Sequence, residues 1–279
     1  MIDFWRRFAS NRGAVLGLAT LVVIATIAML APWLFPGDPW DIKARPMQFP
    51  SSEFPMGTDM LGRDVSAGVA HGARVSLMIG LVSTAASVLL GTTIGATAGF
   101  FLGRVDEALM RATEFVQTIP SFILAIVLVA VLRPGIVSIV IAIAVVTWPP
   151  VARLVRAEFL TLRQREFVEA AIVIGLRPSA IMLREILPNA ISPIVVMASL
   201  MIATAILTES AISFLGLGDP NLISWGYMIG ASRSVLRTAW WLSVFPGAAI
   251  FLTVLAINLL GEGLNDALNP HLRRRGEGA

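Results

Sequence analysis

A chain of 279 residues that is 56% apolar, 14% charged and free of cysteine has exchanged charge for hydrocarbon, since soluble domains run at about 45–50% apolar and ~25% charged. The 21 basic and 18 acidic residues leave a net charge of +3. They are missing from six long windows, 13–37, 75–103, 115–132, 134–152, 186–208 and 238–261, which together make up about half of the chain. This distribution excludes a soluble enzyme, a secreted disulfide scaffold and a nucleic-acid binder, and without cysteine there is no thiolate metal site or catalytic thiol.

A charge-free apolar run of about 18 residues or more spans the ~30 Å hydrocarbon core as a helix. The expectation is therefore an all-α integral membrane protein with six transmembrane helices. Arg6, Arg7 and Arg12 precede the first window as they would in a signal peptide. The apolar run outlasts the ~7–15 residues of a signal h-region, so it reads as a retained anchor. Placing both termini in the cytoplasm puts fourteen basic residues inside and seven outside, as the positive-inside rule requires.

In chain order, residues 1–37 are the cytoplasmic N-terminus and first span, and 38–74 an extracytoplasmic loop marked by Pro46, Pro50, Pro55, Gly57 and Gly62. Residues 75–264 form a five-helix core, and 265–279 a cytoplasmic tail. Within the second window Gly91, Gly95, Gly99 and Gly103 recur every four residues. Such a stripe lets helix backbones approach closely, here foremost within this subunit. Pro120 and Pro149-Pro150 are expected to kink or end spans, foremost to end them. Arg133-Pro134-Gly135 joins the third and fourth windows as a tight hairpin. The segment 153–188 is cytoplasmic. There Glu169-Ala170-Ala171 puts small side chains on a helix, Gly175 sits as its C-cap, Pro178 opens a second short helix and Pro188 closes it. On the residues alone this is equally a docking element or a solvated loop. At the outer end of the fifth span Glu209 either lines the mouth of a pathway or pairs with Arg233 or Arg237. Gly216-Leu217-Gly218-Asp219-Pro220 marks a turn.

The windows hold no Asp, Glu, His, Lys or Arg, whereas ion-coupled transporters keep an ionisable group at membrane depth. His71 and His271 lack a neighbouring ligand set, so no metal site or catalytic residue is expected. The single lysine, Lys43, follows Ile42, so no Gly-Lys-Ser/Thr phosphate loop exists. Uphill transport would need energy from a partner.

The run Glu169-Ala170-Ala171, three residues, Gly175, eleven residues, Leu187-Pro188 resembles the EAA loop of binding-protein-dependent ABC importer permeases. The family's usual Ile two residues before the Leu is here Glu185, with Ile186 beside it. Gly57-Thr58-Asp59, Leu61-Gly62-Arg63-Asp64, Gly72-Ala73-Arg74-Val75-Ser76-Leu77, Ser213-Phe214-Leu215-Gly216-Leu217-Gly218, Trp225-Gly226 and Asn258 through Pro270 resemble its dipeptide/oligopeptide subgroup, specifically the second permease subunit. The resemblance implies a type I ABC importer permease fold in a bacterial inner membrane, coupling to the ATPases through Glu169, Ala170, Ala171, Gly175, Leu187 and Pro188. It further implies a homologous first permease as heterodimer partner, two cytoplasmic ATP-binding subunits that carry ATP and Mg, and an extracytoplasmic solute-binding protein. This chain would then be non-hydrolytic and without a cofactor of its own. The substrate would be a di- or oligopeptide, with glutathione, a nickel chelate or another small solute as the alternative. From another class, an ATPase-independent secondary transporter or channel stays the rival.

Overall fold

The computed structural model describes Trp5 and residues 8–268, so the basic tail Arg273–Arg275 lies outside the described residues, as do Arg6 and Arg7. Its elements are helical: α1 (Arg12–Leu34), α2 (Val65–Phe101), α3 (Gly103–Thr118), α4 (Ser121–Leu132), α5 (Ile136–Arg163), α6 (Glu166–Val173), α7 (Pro178–Leu217), α8 (Trp225–Ser232) and α9 (Trp241–Leu268). Lipid leaves the backbone no outside partner for its polar groups, so helices follow wherever charges are absent. Five of them, α1, α2, α5, α7 and α9, are long and apolar enough to cross a membrane. The chain is a multi-pass membrane protein.

Against the six expected crossings stand these five and one bent pair, which makes a sixth only if it is counted as one span. The 115–132 window is not a straight span: its first residues belong to α3, and α4 leaves at 86° to it. Pro120 has no N–H to continue α3 and pushes Ile119 into the extended region (φ −89°, ψ 130°). Pro120 is then the N-cap of α4, whose 12 residues rise about 18 Å at 1.5 Å each.

Two other proline expectations are corrected. Pro149-Pro150 does not end a span but lies inside α5. Pro188 does not close a short helix either, because α7 runs on through it. A π turn, Ile181–Ile186, sits immediately before Leu187. It widens the helix and closes on the Leu187 N–H to Met182 carbonyl bond, so the missing Pro188 N–H is absorbed where the ladder is already irregular. A π turn also holds one residue more than an α turn, and it is Ile186, not Glu185, that is fully buried.

α2 begins at Val65, ten residues ahead of the charge-free window, because Asp64 caps it by accepting from the Ser66 N–H at 2.8 Å. The glycine stripe packs it against α5. A Cβ on Gly99 would stand 2.8 Å from the Arg156 carbonyl oxygen and 2.7 Å from Phe159 Cβ, and one on Gly91 2.7 Å from the Trp148 oxygen. The stripe stops at Gly99; Gly103 lies past the helix end in a positive-φ turn.

Cross-links fix the two ends of the bundle. At one end Asn11 Nδ2 donates to Asp266 at 3.0 Å, joining α1 to α9, and α6 lies at the same end. At the other, Trp241 Nε1 donates to the Thr58 carbonyl at 3.2 Å. There Thr58, fully buried, donates to the Arg45 carbonyl at 2.7 Å and accepts from the Gln48 N–H at 2.9 Å. Arg63 lies over the Trp40 ring at 4.6 Å. In the turn after α7, Asp219 accepts from the Ile136 N–H at 3.2 Å and from the Asn221 N–H at 2.9 Å. It thereby caps α5 from 83 residues away.

Candidate coupling surface and buried acid

α6 carries Glu166 and Glu169 in its first turn, where carboxylates complement the helix dipole. Its end is a Schellman motif. Gly175, at φ +83°, donates its N–H to the Ile172 carbonyl at 2.9 Å, and Leu176 donates to the Ala171 carbonyl at 3.1 Å. Arg177 is extended and Pro178 takes the first position of α7. The joint between α6 and α7 therefore comprises only Ile174 to Arg177.

Inward, Val168 and Ala171 pack with Phe159 of α5 and Ile181 and Ile186 of α7 in one buried cluster. Ala171 is thus the small residue that lets α6 sit close, while Glu169 and Ala170 are exposed. Gly175 faces open space, with nothing within 4 Å of a Cβ built on it. Leu187 is partly buried against the cluster and Pro188 is exposed. Outward, the same segment presents an apolar ridge: Val173 is 86% and Ile174 77% exposed, joined by Ile172, Leu176 and Leu183. These residues lie past the end of the apolar window that supplies α5. Exposed apolar groups gathered beside charged ones mark an interaction surface.

Beneath it, Arg156 of α5 grips Asp106 of α3 with two charge-assisted bonds, Nε at 2.5 Å and Nη2 at 2.6 Å. Sequence reading missed this pair, for the residues are 50 positions apart. A signal was present: Asp106 is the one acid in the first turn of an otherwise amphipathic α3.

Glu209 lies far from this surface, near the other end of α7. It is fully buried and accepts from Ser213 Oγ at 2.7 Å, Ser210 Oγ at 3.3 Å and Ser76 Oγ at 3.5 Å. The Ser76 oxygen in turn accepts from the Trp225 N–H at 3.4 Å. Its partners are hydroxyls from α2 and α7 rather than Arg233 or Arg237. Among the described residues no group of three His, Asp or Glu gathers at metal-binding spacing.

A cavity of about 750 Å³ opens at the α3–α4 bend against α5 and α7, with Gln117, Ser121, Thr147, Thr204 and Thr208 as its polar lining. The sequence held no signal for it, since hydroxyl residues satisfy themselves on the preceding helical turn, as Thr208 does on the Thr204 carbonyl.

With this geometry in view, the comparisons decide the family. Residues 91–274 match the model of the binding-protein-dependent transport system inner membrane component, about two thirds of the chain. The chain belongs to that family. Residues 1–50 match the N-terminal transmembrane domain of oligopeptide transport permease C. The di/tripeptide transport system permease protein DppC of Pseudomonas aeruginosa is 41% identical over 97% of this chain and 92% of its own length. The glutathione transport system permease protein GsiD of Pectobacterium atrosepticum is 41% identical over 97% and 91%. Among solved structures, a chain of the MetNI methionine ABC transporter in inward-facing conformations superposes with a TM-score of 0.61, at 17% identity, over 72% of this chain and 96% of that one. A second, from an amino acid ABC transporter with histidines, gives 0.55 over 76% and 95%. Both carry the fold of an ABC transporter permease, as this chain does. Counted as one span, the bent pair would be the third of six crossings beside the five continuous helices.

Proposed function

We propose that this chain is one permease subunit of an ATP-driven ABC importer of di- and oligopeptides, forming half of the translocation pathway and receiving force from cytoplasmic ATPases. The observation that carries the reading is the ridge Ile172–Leu176, solvent-exposed on a short helix whose base is locked by Phe159, Val168 and Ile186. Burying a Val, Leu or Ile side chain contributes about 1.5–3 kcal/mol, so several such residues anchor a partner firmly. Because the joint to α7 is four residues long and capped, displacement of α6 moves α7 with it. Energy comes from outside the chain, which has no phosphate loop of its own.

In this reading α6 and both termini are cytoplasmic in a bacterial inner membrane, and α8 faces the compartment of the solute-binding protein. Two ATP-binding subunits hold ATP and Mg, and a homologous first permease supplies the other half of the pathway. ATP-driven closure of the ATPases tilts residues 166–188, and the permeases open outward to accept solute. Peptide is favoured by the relatives named above. Glutathione, itself a tripeptide, is the second reading, supported by the glutathione permease at 41% identity. Glu209 is assigned to the outer region near the pathway mouth.

The test is ATP hydrolysis by the complex assembled in liposomes with the adjacently encoded subunits, with and without binding protein loaded from a peptide library or with glutathione. Stimulation by peptide-loaded binding protein is expected. Flux without any ATPase would establish the channel or secondary-transporter reading instead.

A further inference from the structure

At the α8 end, a groove of about 960 Å³ runs between α1 and α2. Its wall is apolar, with Met29 of α1 and Met78, Leu81 and Val82 of α2 all exposed. Its rim is polar, with Asp38, His71, Arg74 and Asn221. The rim sits where two hydrocarbon boundaries meet in space. The charge-free stretch of α1 ends at Gly37, before Asp38, and that of α2 begins at Val75, after Arg74. His71 pins the two helices at this level by donating Nε2–H to the Phe35 carbonyl oxygen at 3.3 Å.

We infer that this groove binds a membrane phospholipid, its phosphodiester on the Arg74 guanidinium and an acyl chain along Met78 and Val82. Three observations converge. Arg74 is exposed, and no ion pair or hydrogen bond of its side chain occurs among the described residues. Arginine at a bilayer boundary finds its best partner in phosphate, which accepts two parallel N–H bonds from the guanidinium fork. Residues 74, 78 and 82 recur at helical spacing on one face of α2, so the apolar wall descends directly beneath the cation, in the order of a lipid's head and tail. The groove also holds one acid, Asp38, whose Oδ1 already accepts from the Trp40 N–H at 2.9 Å. That leaves Arg74 the unpartnered charge of the rim. Arg74 belongs to the Gly72–Leu77 motif and has no part in the coupling surface or the serine cage of Glu209, so the inference stands apart from the transport reading.

The experiment uses the whole assembled complex, stripped of lipid in detergent and titrated with phosphatidylglycerol, phosphatidylethanolamine, diacylglycerol or inorganic phosphate, with retained lipid read by native mass spectrometry. Phospholipid retention is expected, about tenfold weaker in Arg74→Gln, partly restored in Arg74→Lys, and absent for diacylglycerol. A photo-reactive residue at Met78 is expected to label lipid. Equal retention by Arg74→Gln, or inorganic phosphate bound as tightly as phospholipid, overturns the inference. So does a Met78 label that falls on the partner permease rather than on lipid. Unchanged ATPase activity of Arg74→Gln without added lipid verifies that the variant is folded.

Discussion

Substituting Gly175 separates backbone conformation from packing at the proposed coupling surface. Its φ is +83°, and a Cβ there meets nothing within 4 Å. An L-residue therefore clashes with no neighbour and carries only the left-handed penalty of about 1–2 kcal/mol. That energy corresponds to a roughly 5–30-fold shift in population, spent on opening the two bonds that cap α6, Gly175 to Ile172 and Leu176 to Ala171. Asn tolerates positive φ best and a β-branched residue worst. The expected order of ATP-driven uptake in liposomes is Gly175, then Gly175→Asn, Gly175→Ala and Gly175→Val. Insertion and thermal stability stay near wild type because the Val168–Ile186 cluster is untouched. Uptake by Gly175→Val equal to wild type would refute a rigid α6–α7 joint. Equal loss in all three, with destabilisation, would refute the open-space geometry.

Gly95→Leu is expected to lower the melting temperature far more than Gly175→Ala. Its side chain enters against the Ala152 carbonyl and Val155, and overpacking costs about 1–3 kcal/mol or more; a thermal-shift assay in detergent checks it. Arg156→Ala, Asp106→Ala and the double variant form a thermodynamic cycle whose coupling should reach about 0.5–3 kcal/mol. Additive losses would mean that the bidentate contact contributes nothing. Glu209→Ala leaves the Ser213, Ser210 and Ser76 hydroxyls without their shared acceptor and should destabilise by about 1–3 kcal/mol. Glu209→Gln should fold, and uptake by it at the wild-type rate would limit the acid to a structural role.

Much of the architecture was legible because lipid enforces one rule: no charge where there is no water. Charge-free windows therefore located the helices crossing the membrane. What they cannot see is direction, and the 115–132 window contained a bend of 86° at Pro120 with no change in hydropathy. Proline reads as a terminator, which holds for Pro120, where α3 stops and α4 leaves at once in a new direction. It fails at Pro149, Pro150 and Pro188, where the surrounding bundle and a π turn accommodate the lost bond. The αL cap at Gly175 was legible, being local in sequence. The serine cage of Glu209 was not, since Ser76 lies 133 residues away, and only the folded chain brings them together.

Asp219 has a mechanical consequence. α5 and α7 are joined at one end by α6 and its capped turn, and at the other by the Asp219 carboxylate, which holds the first turn of α5. Two struts tied at both ends make a closed frame. Such a frame resists shear between its struts and yields instead by tilting as a whole. In the proposed importer, a push on α6 would tilt this frame as a unit, with the α4–α5 hairpin turn on the corner that Asp219 holds.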